Sequence, residues 1–317
     1  MDIDDRSGTA MVFPGMSPAR FADVGKFMLV NPFARKLVAE ADARLGYSLV
    51  DRFREADEDY SEYAQVGFMV NCLALAQWAE HELGVKPDVC AGPSFGEKPA
   101  SVYVGSLSFS DGVWMTANLA RCMDEFFATE HRDVVTHSFV RTSREKLDEI
   151  LAELSDLGEW HDISCYIDHD FHMVSLREHN LDWLKRKIRG AGGMSLYTMR
   201  PPMHSNAFDA LRHKAEEEVF SRLSFADPGI PVVADQDGTV VRTGAGIRKM
   251  LQESFVRPLR WPDVVASLKG LGVGTMCVSG PDSLFGRVAC TTGNFEVLAV
   301  NPRLALQPRR RGAVLSS

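Results

Sequence analysis

The pentapeptide Gly92-Pro93-Ser94-Phe95-Gly96, set directly after the apolar run Val89-Cys90-Ala91, constrains this chain more than any other feature. A serine between two glycines at the end of a buried strand is the sequence form of a strand-to-helix turn too tight for side chains on either side. Such a turn lifts the serine oxygen clear of the backbone. The surroundings agree. Residues 63–83 read as a long apolar-periodic helix closed by Gly84, so helix, loop, strand and serine follow in the order the turn requires. Farther on, Pro201-Pro202-Met203-His204-Ser205 fixes the approach of the chain with two prolines and predicts a helix that begins at the histidine. A serine and a histidine distant in sequence are what a nucleophile and its general base look like before folding. The other reading of His204 is a helix-start histidine bonded to backbone.

Six landmarks occur in order: Phe13-Pro14-Gly15, Gly92-x-Ser94-x-Gly96-Glu97, Gly105-Ser106-Leu107-Ser108-Phe109-x-Asp111, Met203-His204-Ser205, Pro258-Leu259-Arg260-Trp261 and Gly280-Pro281. Together they resemble the malonyl-CoA:acyl carrier protein transacylase family, which includes the acyltransferase domains of polyketide synthases. The resemblance implies an α/β fold: a large α/β-hydrolase-like domain formed by residues 1–131 and 199–317, with an inserted small ferredoxin-like α+β subdomain over 132–198. It implies ping-pong acyl transfer in which Ser94 takes the acyl group from a thioester and His204 accepts its proton, then activates the incoming thiol. The backbone N–H groups of Met16 and Phe95 would form the oxyanion hole, and the carbonyl of Arg260 would orient the histidine. No permanently bound cofactor is implied; the phosphopantetheine thioester of an acyl carrier protein is the substrate, and donor and acceptor carrier proteins are the partners.

Departures from the family pattern bear on the acyl group. Malonyl-transferring members carry an arginine that pairs with the free carboxylate; the matching position here is Leu119, and Arg121 is turned roughly 200° around the helix. A buried carboxylate left unpaired is costly, so malonyl and methylmalonyl groups are expected to be poor substrates. Pro93 stands where the family has histidine and Pro99 removes an early N–H from the helix after Ser94, which together predict a reshaped pocket mouth; Met16 stands where glutamine is usual, a change that a main-chain donor tolerates. Gln65 either lines the pocket or lies on a helix surface. The chain most resembles discrete acyltransferases of macrolactam polyketide pathways, in antibiotic biosynthesis, implying an aminoacyl or dipeptidyl starter. Lys185, Arg186, Lys187 and Arg189, with Arg200 and Met203 near the cleft, are candidates to meet an acidic carrier, a solvated helix face being the other reading. A malonyl transacylase, a hydrolase that clears stalled acyl groups from carriers and a non-catalytic docking protein remain as alternatives.

The chain has 317 residues, 45% of them hydrophobic, enough for a large core, and its formal charge of -8 argues against nucleic acid as a partner. Six scattered cysteines without a C-x-x-C pair read as reduced, buried thiols. Met1-Asp2-Ile3-Asp4-Asp5 lacks the regions of a signal peptide and no apolar run is long enough for a membrane span, so a cytoplasmic monomer is expected. In Asp168-His169-Asp170-Phe171-His172, alternation along a strand would put the histidines on opposite faces, so no metal site is expected. The insert is expected to hold strands near 137–142 and 194–199, a strand-rich stretch over 163–176, and helices over 144–157 and 181–188. Arg309-Arg310-Arg311 reads as a solvated basic tail.

Overall fold

The computed structural model describes residues 6–18, 20–282 and 284–308; the amino-terminal pentapeptide and the Arg309-Arg310-Arg311 tail lie outside the described residues. Among the described residues the strands are β1 (Gly8–Val12), β2 (Val89–Ala91), β3 (Val134–Val140), β4 (His161–Asp168), β5 (Phe171–Arg177), β6 (Met194–Met199), β7 (Val232–Val233), β8 (Val240–Val241), β9 (Leu259–Arg260), β10 (Val273–Ser279) and β11 (Glu296–Val300). They form two sheets.

The first sheet has the order β11-β10-β1-β2-β7-β8 and is parallel except for β8, which returns antiparallel on β7. Its central strands are short apolar runs buried on both faces, as a parallel sheet covered by helices demands. The covering helix Glu62–Leu83 starts where the Ser61 hydroxyl accepts from Ala64 N and ends at Gly84 in the left-handed conformation. It is buried around most of its circumference and packs in one apolar cluster with Phe109–Thr129, the helix whose residue Leu119 is 1% exposed.

The second sheet has the order β6-β3-β5-β4-β9. With helices Arg144–Asp156 and Leu181–Gly190, strands β3 to β6 make an antiparallel β-α-β-β-α-β unit; one face buries Phe139, Leu147, Leu154, Leu184 and Ile188. The other face shares a cluster with Trp261, Val264 and Leu268 and with Val12 and Val278 of the first sheet. The smaller sheet is not confined to residues 132–198, because β9 adds to it in parallel through the pairs Cys165↔Leu259 and Tyr166↔Arg260.

Several elements differ from the sequence reading. The Asp168 to His172 run is not one strand but the tip of the β4-β5 hairpin. Asp168 closes it by accepting from His169 N at 2.8 Å and from Cys290 N at 3.1 Å, so strand alternation does not apply across it. Helices Phe21–Val30, Leu49–Glu55 and Trp261–Gly270 and strand β11 carried no signal strong enough to be read, and the helix expected to begin at His204 begins at Asp209. All six cysteines are free and buried, and among the described residues no helix is long and apolar enough to cross a membrane.

Trp261 is fully buried between the sheets; its indole N–H donates to Thr291 Oγ1 at 2.8 Å and its ring meets Phe285 edge-on. Replacing Thr291 by Val keeps the shape and strands that donor, so urea unfolding is expected to lose about 1–3 kcal/mol, with Thr291→Ser recovering most of it.

Candidate active site

Strand β2 is hydrogen-bonded on both sides, by β1 and by β7, and the chain must leave it abruptly because the helix Glu97–Tyr103 starts five residues after Ala91 is passed. Glycine is required at both flanks of the serine. A Cβ on Gly92 would stand 2.1 Å from the Gly96 carbonyl oxygen, and one on Gly96 would stand 2.1 Å from that of Phe13. Ser94 itself is held at φ 54, a left-handed conformation that a non-glycine residue adopts only when its surroundings impose it. The imposing contact is Asp235, whose Oδ2 accepts from Ser94 N at 2.5 Å.

His204 also has a left-handed backbone, φ 64, and is 3% exposed. It does not begin a helix. Ser205 caps the turn Asn206–Phe208 through Ala207 N, and Ser205 Oγ donates to Asp162 Oδ2 on β4 at 2.5 Å, so the histidine sits on a bend anchored from both units. Its Nε2 is 2.8 Å from Ser94 Oγ. Burial lowers its pKa to about 4 against the raising influence of the Ser254 and Arg257 carbonyls, neither of which makes a well-formed hydrogen bond to Nδ1. The Arg260 carbonyl does not hold the ring, contrary to the sequence expectation. Pairing of β9 with β4 carries Arg260 into the second sheet, where its N–H donates to the Asp235 carbonyl at 2.8 Å and its guanidinium pairs with Asp263.

Behind the turn, Asp235 and Glu97 are each 1% exposed. Glu97 is pushed well above the usual carboxyl range by burial and by the charge of Asp235; Asp235 is raised to about 6 by burial, opposed by the Ser94 N–H. Asp235 Oδ1 and Glu97 Oε2 have no other partner, while Gln236 Nε2 donates to Glu97 Oε1 at 2.9 Å. One proton kept on Glu97 and donated to Asp235 satisfies both orphaned oxygens and leaves Asp235 as the acceptor for Ser94 N.

Ser94 opens into a narrow, largely apolar pocket of about 90 Å³ whose walls include Met16, Phe95, Leu119, Met123, Met203 and Phe255. Gln65 belongs to this pocket, not to a helix surface: it is 4% exposed, and its Nε2 donates to the Tyr60 carbonyl at 2.9 Å. Pro93 is buried and is not among the lining residues, contrary to the sequence expectation: the ring before the serine packs into the protein and presents no wall to the pocket. Arg121 is spent on a bidentate pair with Glu62 at 2.6 and 2.7 Å and is likewise absent from the lining. Sequence reasoning missed Lys98, which lines the pocket and donates to Gln65 Oε1 at 3.1 Å. Its position, one helical turn after Ser94, was the available signal. Asp235 offered none, since only the pairing of β2 with β7 brings it to Ser94.

The basic candidates separate. Lys185, Arg200 and Arg132 line a broad groove that also contains Asp57, Glu58, Asp59, Asp124 and Glu178, with Arg200 paired to Glu178 at 2.5 Å and Lys185 to Asp182 at 3.9 Å; Tyr60, Met123, Met199 and Pro201 line both this groove and the pocket, so the two are continuous. Arg186 and Arg189 are exposed but lie outside the groove, Lys187 is engaged by Glu153 and the Trp183 ring, and Met203 is a wall of the acyl pocket, not an outer contact.

A serine oxygen facing a neutral imidazole at the mouth of an apolar pocket suits covalent capture of a carbonyl group. The chain's likenesses point the same way. A family model described as the VinK acyltransferase small domain matches residues 138–199. The malonyl CoA-acyl carrier protein transacylase of Bacillus subtilis (strain 168) is 25% identical over 302 residues, 93% of this chain and 94% of that protein. The polyketide biosynthesis protein ThaF of Burkholderia thailandensis is 28% identical over 276 residues, 83% of this chain and 22% of ThaF. The chain is an acyltransferase. The malonyl-CoA:acyl carrier protein transacylase family is the one these matches support. Among solved structures, the malonyl-transacylase in complex with a type II polyketide synthase acyl-carrier protein superposes with a TM-score of 0.83 at 21% identity, covering 94% of this chain and 97% of that one. FabD from Acinetobacter baumannii gives 0.82 at 19%, covering 95% and 96%. The acyltransferase thus shares their mixed α/β fold.

Because the folded pKa of His204 lies below its ordinary value, the ring stays unprotonated and able to accept a proton from pH 7 down to about pH 4. Labelling of Ser94 by an electrophilic serine probe is therefore expected to keep its rate through pH 6 and to fall only as pH approaches about 4. A midpoint near that of a free histidine, roughly 6.5, would contradict this.

Proposed function

We propose that the protein transfers an acyl group between acyl carrier proteins, in fatty acid or polyketide synthesis, through an ester on Ser94. The 2.8 Å contact between Ser94 Oγ and His204 Nε2 carries this reading. Ser94 Oγ attacks the thioester carbonyl as the imidazole takes its proton; the carbon–sulfur bond then breaks and the departing phosphopantetheine sulfur receives that proton. In the second half the thiol of another carrier gives its proton to His204, its sulfur attacks the ester, and Ser94 Oγ leaves with the proton. The oxyanion is assigned to the backbone N–H groups of Phe95 and Met16, whose residues share the pocket lining with Ser94. Ser94 N itself is not available for that task, being committed to Asp235.

Leu119 in the pocket wall supports an acyl group without a carboxylate at that point, and the sequence resemblance to macrolactam acyltransferases favours an aminoacyl or dipeptidyl starter. Malonyl transfer is the second reading, and the observation in its favour is the amine of Lys98 in the same pocket. For the carrier, a malonyl-transacylase solved in complex with an acyl-carrier protein supports the class of partner. Lys185 and Arg200 in that groove are the assigned contacts for an acidic carrier, whose carboxylates would take over from Asp182 and Glu178, their partners within the chain.

Incubation with aminoacyl-loaded carrier protein is expected to give an acyl adduct by intact mass that is absent in Ser94→Ala; an undiminished adduct in that variant removes the nucleophile. On addition of an unloaded acceptor carrier the acyl group should appear on the acceptor, whereas release only as free acid would make the protein a hydrolase. Charge reversal at Lys185 and Arg200 is expected to lower transfer from carrier protein about tenfold more than transfer from a free pantetheine thioester.

A further inference from the structure

Lys98 is a cation in an apolar pocket with neutral company. Its Nζ donates to Gln65 Oε1 at 3.1 Å and lies over the Phe95 ring at 4.5 Å from the centroid, while Gln65 is fixed at its other end by the Tyr60 carbonyl. Among the described residues no carboxylate forms an ion pair with it. The adjacent carboxyl, Glu97, is turned toward Gln236 and Asp235 on the far side of the turn. An ammonium has three N–H donors, and a desolvated one with a single neutral hydrogen-bond acceptor is an unfinished site. Burial accordingly lowers the Lys98 pKa to about 7. Retention of a lysine where leucine or methionine would pack calls for an acceptor that arrives with the substrate.

Resting on the acyl-serine reading above, we infer that Lys98 is a specificity-determining residue: its Nζ, held by Gln65, donates to an acceptor oxygen carried on the acyl chain beyond the carbonyl that Ser94 attacks. The chemical class is an acyl group with a carboxylate or an amide carbonyl in that position. A plain alkyl chain leaves the amine with no partner from the substrate. One helical turn separates Lys98 from Ser94, so the acceptor lies only a few bonds from the ester.

The test uses one carrier protein loaded with butyryl, malonyl or N-acetylglycyl groups, and reads the rate of adduct formation on Ser94. Wild-type protein is expected to take at least one of the two oxygenated groups roughly tenfold or more faster than butyryl, as a hydrogen bond from a charged donor provides. In Lys98→Met that ratio should fall to about one. Gln65→Leu, which keeps the lysine and removes its anchor, should lower it as well and carries the test if Lys98→Met does not fold. A preference for malonyl alone identifies a carboxylate, and one for N-acetylglycyl alone an amide carbonyl. Equal rates for all three in the wild type, or a ratio unchanged by Lys98→Met, overturn the inference. Absence of any adduct with all three overturns the acyl-serine reading beneath it.

Discussion

The close approach of two backbones, Gly96 against the Phe13 carbonyl, is the constraint on which the rest of the site depends. It brings the end of β1 and the loop that follows it against the turn after β2, so Met16 and Phe95 line one pocket with Ser94. A methyl group at Gly96 would separate the two segments, and the serine would lose both its conformation and its neighbours. The parallel pairing of β1 with β2 and of β2 with β7 holds this arrangement in register, and Asp235, two residues beyond β7, completes it from below.

Desolvation then sets the charge of everything around the serine. It lowers His204 and Lys98 and raises Asp235 and Glu97, so each is held closer to its neutral form than it would be in water. A neutral imidazole suits a proton acceptor. A carboxyl kept protonated on Glu97 lets two buried acids coexist where two anions would repel. The pocket gains from this a low-polarity wall with a single amine in it, which is a stronger selector than the same amine in water.

Much of this was legible in the sequence because glycine and capping residues report backbone geometry directly. Gly92 and Gly96 announced the turn, and Gly84 ended the helix Glu62–Leu83 where it was read to end. Strand β6 spans Met194–Met199 as read. Less was legible where tertiary pairing decides the outcome. Arg260 looked like the neighbour of His204 because it adjoins Trp261, yet a two-residue strand turned it toward β4. Asp235 carries no local pattern at all, and the helix Asp209–Glu218 is polar on most of its surface, burying only Leu211 and Ala215. Lys98 was passed over for another reason: attention to the position of Leu119 hid a cation one turn beyond the serine.

The segment from Ser254 to Arg260 touches the imidazole at its start, donates to the carbonyl of Asp235 at its end, and there becomes the edge strand of the smaller sheet. Since Ser205, beside His204, is tied to Asp162 of that same sheet, base and nucleophile are both tethered to it. The smaller unit is thus hydrogen-bonded both to the bend that carries the imidazole and to the residue whose carboxylate holds the serine's backbone, so the spacing of the 2.8 Å pair is fixed through one sheet edge.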